Sequence, residues 1–324
     1  MAKKGNLLSF RPDIKVLDAT IRDGGLVNNF DFSDEFVKEL YKTNIKAGVE
    51  YMEFGYRADK DIFNEEEFGK WKFATDDDIY KIVGDSDMVK TAIMADVGRC
   101  NYKRDIHPKN ESPVDLIRVA AYIHQIPAAI EMIEDFFNKG YETTCNIMAV
   151  STAQLADIKA ALEMLGQSPV NGIYIVDSYG SMYPEQISPL TETYVEVAEK
   201  YGKYIGMHAH NNQQLAFANT IESCAHGASY LDGTYAGMGR GAGNCSIELL
   251  LSFLKNPKYN IYPVLKFLED YMVPLQKNPD VQWGYNVPYM ITGHLNQHPR
   301  TAIAATKDNR TDYTNFYNEL MDRD

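Results

Sequence analysis

Short apolar or β-branched runs recur along this chain at residues 15–22, 49–55, 89–95, 115–121, 143–150, 172–177, 204–210 and 228–234. Between them lie stretches with helical periodicity, including 33–47, 126–138, 153–165, 184–201, 213–226 and 245–254. Strands that alternate with amphipathic helices imply parallel pairing through right-handed crossovers. Eight such units over roughly 250 residues match an α/β fold of the (β/α)8 TIM-barrel type. A doubly wound open sheet is the alternative, and it is weakened because no glycine-rich dinucleotide turn follows the first run. The expected catalytic barrel covers 12–255. Residues 256–324 are helical in pattern and rich in Tyr and Asn, with no linker before them. They are expected to pack on the barrel as a helical C-terminal extension.

In a parallel barrel, reactive groups belong at the carboxyl ends of strands. The seventh run ends in His208-Ala209-His210. Residues i and i+2 of a strand leave the same face about 6.6 Å apart along it, so both imidazoles can reach one divalent metal at roughly 2.0–2.1 Å. The first run ends Asp18-Ala19-Thr20-Ile21-Arg22-Asp23-Gly24-Gly25, with Asp18, Thr20 and Arg22 on one face of the strand and Asp23 following as the chain turns through two glycines. The second run brings Glu53, the sixth Asp177-Ser178, and the eighth leads into the stretch from Gly237 to Asn244. One Asp with two His leaves coordination positions open, the pattern of a catalytic metal. Each residue also has a plainer reading: Asp23 as a turn-former before Gly, Arg22 as a structural ion pair. The glycine stretch matches neither a P-loop nor a dinucleotide fingerprint. It reads either as a flexible loop capped by Asn244 or as a mobile cover that lends the Asn244 oxygen to a metal.

Composition narrows the partners. The net charge is −13 and no basic cluster exceeds the Lys3-Lys4 pair, which argues against nucleic acid or an anionic membrane as partner. The four cysteines are scattered without disulfide or metal-knuckle spacing. With no signal-peptide pattern and no apolar run near 18 residues, the expected location is cytoplasmic.

The three phrases Leu17-Asp18-Ala19-Thr20-Ile21-Arg22-Asp23-Gly24, His208-Ala209-His210-Asn211-Asn212 and Gly241-Ala242-Gly243-Asn244 together resemble the signatures of the DRE-TIM metallolyases. That superfamily includes 3-hydroxy-3-methylglutaryl-CoA lyase, isopropylmalate and homocitrate synthases, and 4-hydroxy-2-oxovalerate aldolase. The chain is most similar to the last branch. The resemblance implies a divalent metal, Mn2+ or Mg2+ with Zn2+ and Co2+ also compatible, on Asp23, His208 and His210 with Asn244 nearby. It further implies that Arg22 stabilises an enolate and that Ser178 helps hold a pyruvyl group, beside Glu53 and Thr20. The expected reactants are a small 2-oxo acid and an aldehyde. A homo-oligomer and a partner dehydrogenase are compatible with the branch.

One departure matters. The related aldolases carry a catalytic His three residues after the metal-binding Asp, where this chain has Leu26. Leucine cannot move a proton. Tyr285 and Tyr289 are candidates for the branch's C-terminal acid, and His294 or His298 for a replacement base. The leading expectation is a metal-dependent aldolase working through a pyruvate enolate. Alternatives are a Claisen-type synthase or lyase using an acyl-CoA, and a non-catalytic metal or metabolite binder. Arg57, Arg99 and Arg104, in long loops, are candidates for recognising a polar acceptor or are solvated charges.

Overall fold

A computed structural model describes residues 8–322; the Lys3-Lys4 pair lies outside them. Eight parallel strands form a closed barrel in sequence order: β1 Lys15–Asp18, β2 Tyr51–Tyr56, β3 Lys90–Asp96, β4 Leu116–Ala121, β5 Glu142–Ile147, β6 Gly172–Asp177, β7 Tyr204–Ala209 and β8 Tyr230–Gly233. Closure pairs Lys15 with Tyr230 and Leu17 with Asp232. The apolar residues on the outer strand faces pack under the helices as the main core. This explains why the strands read as near-continuous apolar runs: both faces are buried.

The barrel interior is filled by a smaller cluster in which Leu17, Tyr51, Leu116, Tyr174 and Tyr230 are buried. Two glycines make room for it. A Cβ on Gly172 would lie 2.0 Å from the Tyr204 ring, and one on Gly206 would lie 2.3 Å from the Tyr174 ring.

The first strand differs from its expected extent. It stops at Asp18, and Thr20–Asn28 is a helix. Asp18, Thr20 and Arg22 therefore do not share a strand face. Asp18 accepts from Asn44 Nδ2 at 2.7 Å, and Asn44 belongs to the outer helix Asp34–Ala47. Thr20 donates to Asp18 at 2.5 Å and accepts from the Tyr235 N–H at 2.9 Å. Both side chains tie the barrel to its outer layer.

The C-terminal segment includes the helices Ile261–Phe267, Val287–His294, Arg300–Lys307 and Tyr313–Met321. It lies against the loops at the carboxyl end of the barrel. Gln213 Nε2 donates to Met290 O (2.8 Å), Asn296 Nδ2 to Ser151 O (3.0 Å) and Trp283 Nε1 to Ala236 O (2.9 Å). A small core of its own includes Tyr289, Ala302, Phe316 and Leu320. Among the described residues, no helix is long and apolar enough to cross a membrane.

Candidate active site

Asp23 reaches the mouth from the first turns of the helix Thr20–Asn28, and His208 and His210 from β7 and the residue after it. One ligand atom from each lies within 4.8 Å of the others, and all three residues are buried. Asp23 Oδ2 lies 3.1 Å from His208 Nε2 and 3.8 Å from His210 Nε2. His208 Nδ1 lies 2.9 Å from Asp232 Oδ2. A carboxylate on Nδ1 fixes the proton there and leaves the Nε2 lone pair for a metal, the usual support of a ligating histidine.

Electrostatics keep Asp23 and His210, but not His208, in ligating form. Burial opposes ionisation of Asp23, but Arg22 and the two histidines hold its carboxyl well below the usual range. Burial pushes His210 down to about 3, so its ring is neutral. Burial also lowers His208, but Asp23 and Asp232 outweigh it and the net shift is upward. A metal must displace a proton there.

Beneath the trio runs a buried ion network. Arg22 Nε donates to Glu53 at 2.8 Å and its Nη1 to Asp23 at 2.6 Å. Arg118, fully buried, bridges Glu53 (2.9 Å) and Asp232 (2.5 Å). Sequence reading missed Arg118 and Asp232. The available signal was a lone charge inside an otherwise apolar strand, which is costly unless paired.

The stretch from Gly237 to Asn244 is pinned, not loose. Asn211 N donates to Gly243 O (2.8 Å) and Cys245 N to Ala209 O (3.2 Å), making an antiparallel bridge between His210 and Asn244. Gly243 adopts φ +86°, and a Cβ there would lie 2.2 Å from Gly237 O, so glycine is required. Asn244 Oδ1 is buried without a hydrogen-bond partner. An orphaned amide oxygen on the bridge to His210, beside one carboxylate and two imidazoles, fits a divalent cation in donor type and number.

A cavity of about 70 Å3 opens on the trio, lined among others by Arg22, Leu26, Tyr56, Ser178, Arg240 and His298. Ser178 Oγ accepts from Ala149 N at 2.8 Å, which leaves its own O–H to donate. Of the C-terminal candidates, only His298 reaches the lining. Tyr285 is 58 % exposed, the Tyr289 ring is buried in the C-terminal core against Gly241, and His294 stacks on Tyr317. Thr20 and Glu53 are also absent from the lining, Glu53 because it is bonded beneath it. Arg57 is paired with Asp76, and Arg104 with Asp59, Asp61 and Asp105. These two cations line a separate, larger cavity of about 460 Å3 that shares no residue with the first.

Comparison with known proteins agrees with this geometry. The chain is 28 % identical over 278 residues to a 4-hydroxy-2-oxovalerate aldolase of Pelotomaculum thermopropionicum, covering 83 % of this chain and 79 % of that one. It is 28 % identical over 241 residues to an oxaloacetate decarboxylase of Mycobacterium tuberculosis, covering 74 % and 69 %. Among solved structures, the N-terminal domain of a Bacteroides vulgatus protein ascribed to the aldolases superposes with a TM-score of 0.75 at 28 % identity, covering 90 % of this chain and 96 % of that one. The HMGL-like family profile matches residues 13–269, from β1 through all eight strands and the glycine loop. The chain belongs to the HMGL-like family.

Proposed function

We propose that this chain is a divalent-metal-dependent carbon–carbon lyase of the class II pyruvate aldolase type, which makes or cleaves a 4-hydroxy-2-oxo acid through a pyruvate enolate. The observation that carries this reading is the placement of Asp23, His208 and His210 in one cavity with the Arg22 guanidinium. Mn2+ or Mg2+ is the proposed cation, since mixed carboxylate, amide and imidazole donors suit either, and it would supply a Lewis acid for the 2-oxo group.

The chain's own residues contribute fixed charge and orientation. Arg22 is locked by Glu53 and Asp23, so its position does not change as negative charge develops on the substrate oxygen. Ser178 offers its hydroxyl proton to the carboxylate end of a 2-oxo acid. Leu26, 37 % exposed at the cavity, covers the trio with an apolar group. His298 Nδ1 accepts from Arg300 N at 3.1 Å, so a neutral His298 carries its proton on Nε2. It suits donation to an oxygen better than abstraction.

Decarboxylation of a 2-oxo acid that carries a second carboxylate on C3 is the second reading, and Leu26 in place of the aldolases' His favours it. Loss of CO2 leaves its electron pair on the adjacent carbon and yields the same enolate, with no hydroxyl proton to remove. The similarity to an oxaloacetate decarboxylase supports it. A Claisen reaction is less supported, because a net charge of −13 with few clustered cations offers little to the anionic nucleotide of an acyl-CoA.

Incubation with pyruvate and Mn2+ in D2O, followed by proton NMR, tests the enolate. Loss of the methyl signal is expected, and His208→Ala should abolish both that loss and stoichiometric Mn2+ binding. Absence of exchange in the wild type would remove the aldolase reading and leave a decarboxylase or a non-catalytic binder, which release of CO2 from oxaloacetate tells apart. Product analysis with aldehydes and with oxaloacetate then separates the two readings.

A further inference from the structure

The cavity contains one cation that the folded chain does not neutralise. Arg22 is paired with Asp23 and Glu53, and Arg118 with Glu53 and Asp232. Lys72, also near the mouth, lies over the rings of Tyr56 (4.6 Å) and Phe63 (4.3 Å). Arg240, between Gly239 and Gly241, forms no ion pair among the described residues. Its Nη2 donates to the backbone oxygen of Ser178 at 3.0 Å, and its Nε is buried with no acceptor at all. A guanidinium held in a cavity with an unsatisfied N–H is costly unless an anion completes it.

Its position is set by the backbone. The Arg240 N–H points at Asp23 Oδ1 from 3.4 Å, and the side chain crosses from the loop after β8 to the loop after β6. The head therefore faces the same space as the metal-ligand trio. His298 lines that space too, held edge-on to Tyr179 at 5.7 Å, with Nε2 as its remaining donor. Asp23 is the one carboxylate in the lining, and it is already bonded to Arg22.

We infer that Arg240 and His298 form an anion subsite of their own in this cavity, beyond the hydroxyl that Ser178 offers, so that the second reactant, or the far end of a single substrate, carries a carboxylate. The inference rests on the reading of the site as one that takes a 2-oxo acid. It defines the substrate class as 2-oxo acids with a second negative group, made from or cleaved to an anionic fragment, in place of a neutral aldehyde. The negative group is a carboxylate. An Arg fork suits such a group because two parallel N–H bonds fit its two oxygens.

Two acids isolate the subsite: 2-oxoglutarate and 2-oxopentanoate share the 2-oxo acid end and differ by a terminal carboxylate against a methyl. Calorimetric titration of the full chain with MnCl2 present should show 2-oxoglutarate binding tighter by about 30-fold or more, the scale for a desolvated charge pair. Arg240→Gln should collapse that ratio toward one. Arg240→Lys, which keeps the charge without the fork, should fall between them. Equal binding of the two acids by the wild type, failure to bind either, or an undiminished ratio in Arg240→Gln overturns the subsite. A wild type that keeps the ratio but exchanges no pyruvate methyl protons overturns the aldolase reading and leaves the subsite standing.

Discussion

At the amino end of the barrel, Glu142 accepts hydrogen bonds from Tyr51 (3.0 Å), Tyr204 (2.9 Å) and Lys90 (2.9 Å). The Tyr204 and Tyr230 rings stack there at 3.6 Å, with Lys15 over Tyr230 at 5.0 Å. At the carboxyl end, Asp23, Glu53 and Asp232 meet Arg22, Arg118 and His208 in equally tight contacts, yet polar atoms are left over. Glu53 Oε1, Arg118 Nε, Asp232 Oδ1, Arg240 Nε and Asn244 Oδ1 are buried without partners. Both ends use charged and aromatic groups, but in the interior aromatic cluster the Tyr174 hydroxyl alone is left without a partner, whereas the carboxyl end leaves several polar atoms open. Buried polar groups are normally satisfied, so a concentration of exceptions at one end marks where a ligand completes the structure. Stability and chemistry are thus separated along one axis, as the fold allows.

The largest test of this comparison is a paired substitution. Arg118→Leu removes the cation shared by Glu53 and Asp232 and leaves these buried carboxylates to Arg22 and His208 alone, and it should cost about 3–5 kcal/mol of stability. Pyruvate exchange should fall with it, because Glu53 and Asp232 orient Arg22 and His208. Glu142→Gln, at the opposite end, should cost about 1–3 kcal/mol and leave exchange per folded molecule unchanged. Denaturant unfolding and NMR exchange on the same samples check both. An exchange defect in Glu142→Gln would show that the two ends are not separable.

Arg22→Lys probes the carboxyl end alone. A lysine cannot serve Glu53 and Asp23 with a fixed fork, so turnover should drop about 10²-fold, as for loss of one oxyanion donor. Pyruvate binding, read by titration, should weaken much less. A parallel loss of binding and turnover would make Arg22 a structural ion pair.

The fate of Arg22 also shows how much of the site was legible in the sequence. The eight strands were readable because each is an apolar run between helical patterns, and the Asp/His/His trio because its motif spacing survives any reasonable boundary. The helix Thr20–Asn28 was not. Two adjacent glycines oppose helix formation by about 1 kcal/mol each, and the sequence reads as a strand and a turn. Tertiary contact overrides this: a Cβ on Gly24 would lie 2.9 Å from Met238 Sδ, and one on Gly25 would lie 2.2 Å from the Phe30 ring. Close packing needs the glycines, and the helix that carries them aims Asp23 at β7. Arg240 was equally hidden, because no spacing in the sequence says which side chain spans a barrel mouth, whereas His298 was named only as one of two candidate histidines.

A smaller asymmetry should appear with pH. Burial raises Asp18, at the end of β1, to about 6, although Thr20 and Asn44 hydrogen bonds oppose the shift. Burial likewise raises Asp177, at the end of β6, to about 6 against backbone hydrogen bonds from Ser181, Met182 and Gly180. Both exceed the ordinary 3.8, so the folded state holds these protons more tightly than the unfolded one. Their contribution is fully present below about pH 3.8, is lost as pH rises to about 6, and is level above that. Asp18→Asn cannot ionise, so the stability of the wild type relative to this variant should decline between pH 4 and 6 and then stay constant. Thermal unfolding at each pH reads the difference. A constant difference across that range would mean Asp18 is ionised in the fold like any exposed carboxylate.

The smallest expected effects concern the C-terminal tyrosines. Motif position nominated Tyr285 and Tyr289 as proton donors, but neither lines the cavity. Tyr285 is largely in solvent, so Tyr285→Phe should stay within about 0.5 kcal/mol in stability and leave turnover alone. Tyr289→Phe keeps the ring that packs against Gly241 and loses only a hydroxyl shared with Thr306. It should lower stability slightly without a change in kcat. His298→Gln, from the same segment, removes the donor that does line the cavity, and its effect should fall chiefly on KM for substrates with a second carboxylate. The contrast matters more than any single value. A kcat loss in either Phe variant with an unaltered His298→Gln would return acid catalysis to the tyrosines, and it would require the C-terminal segment to shift over the mouth during turnover.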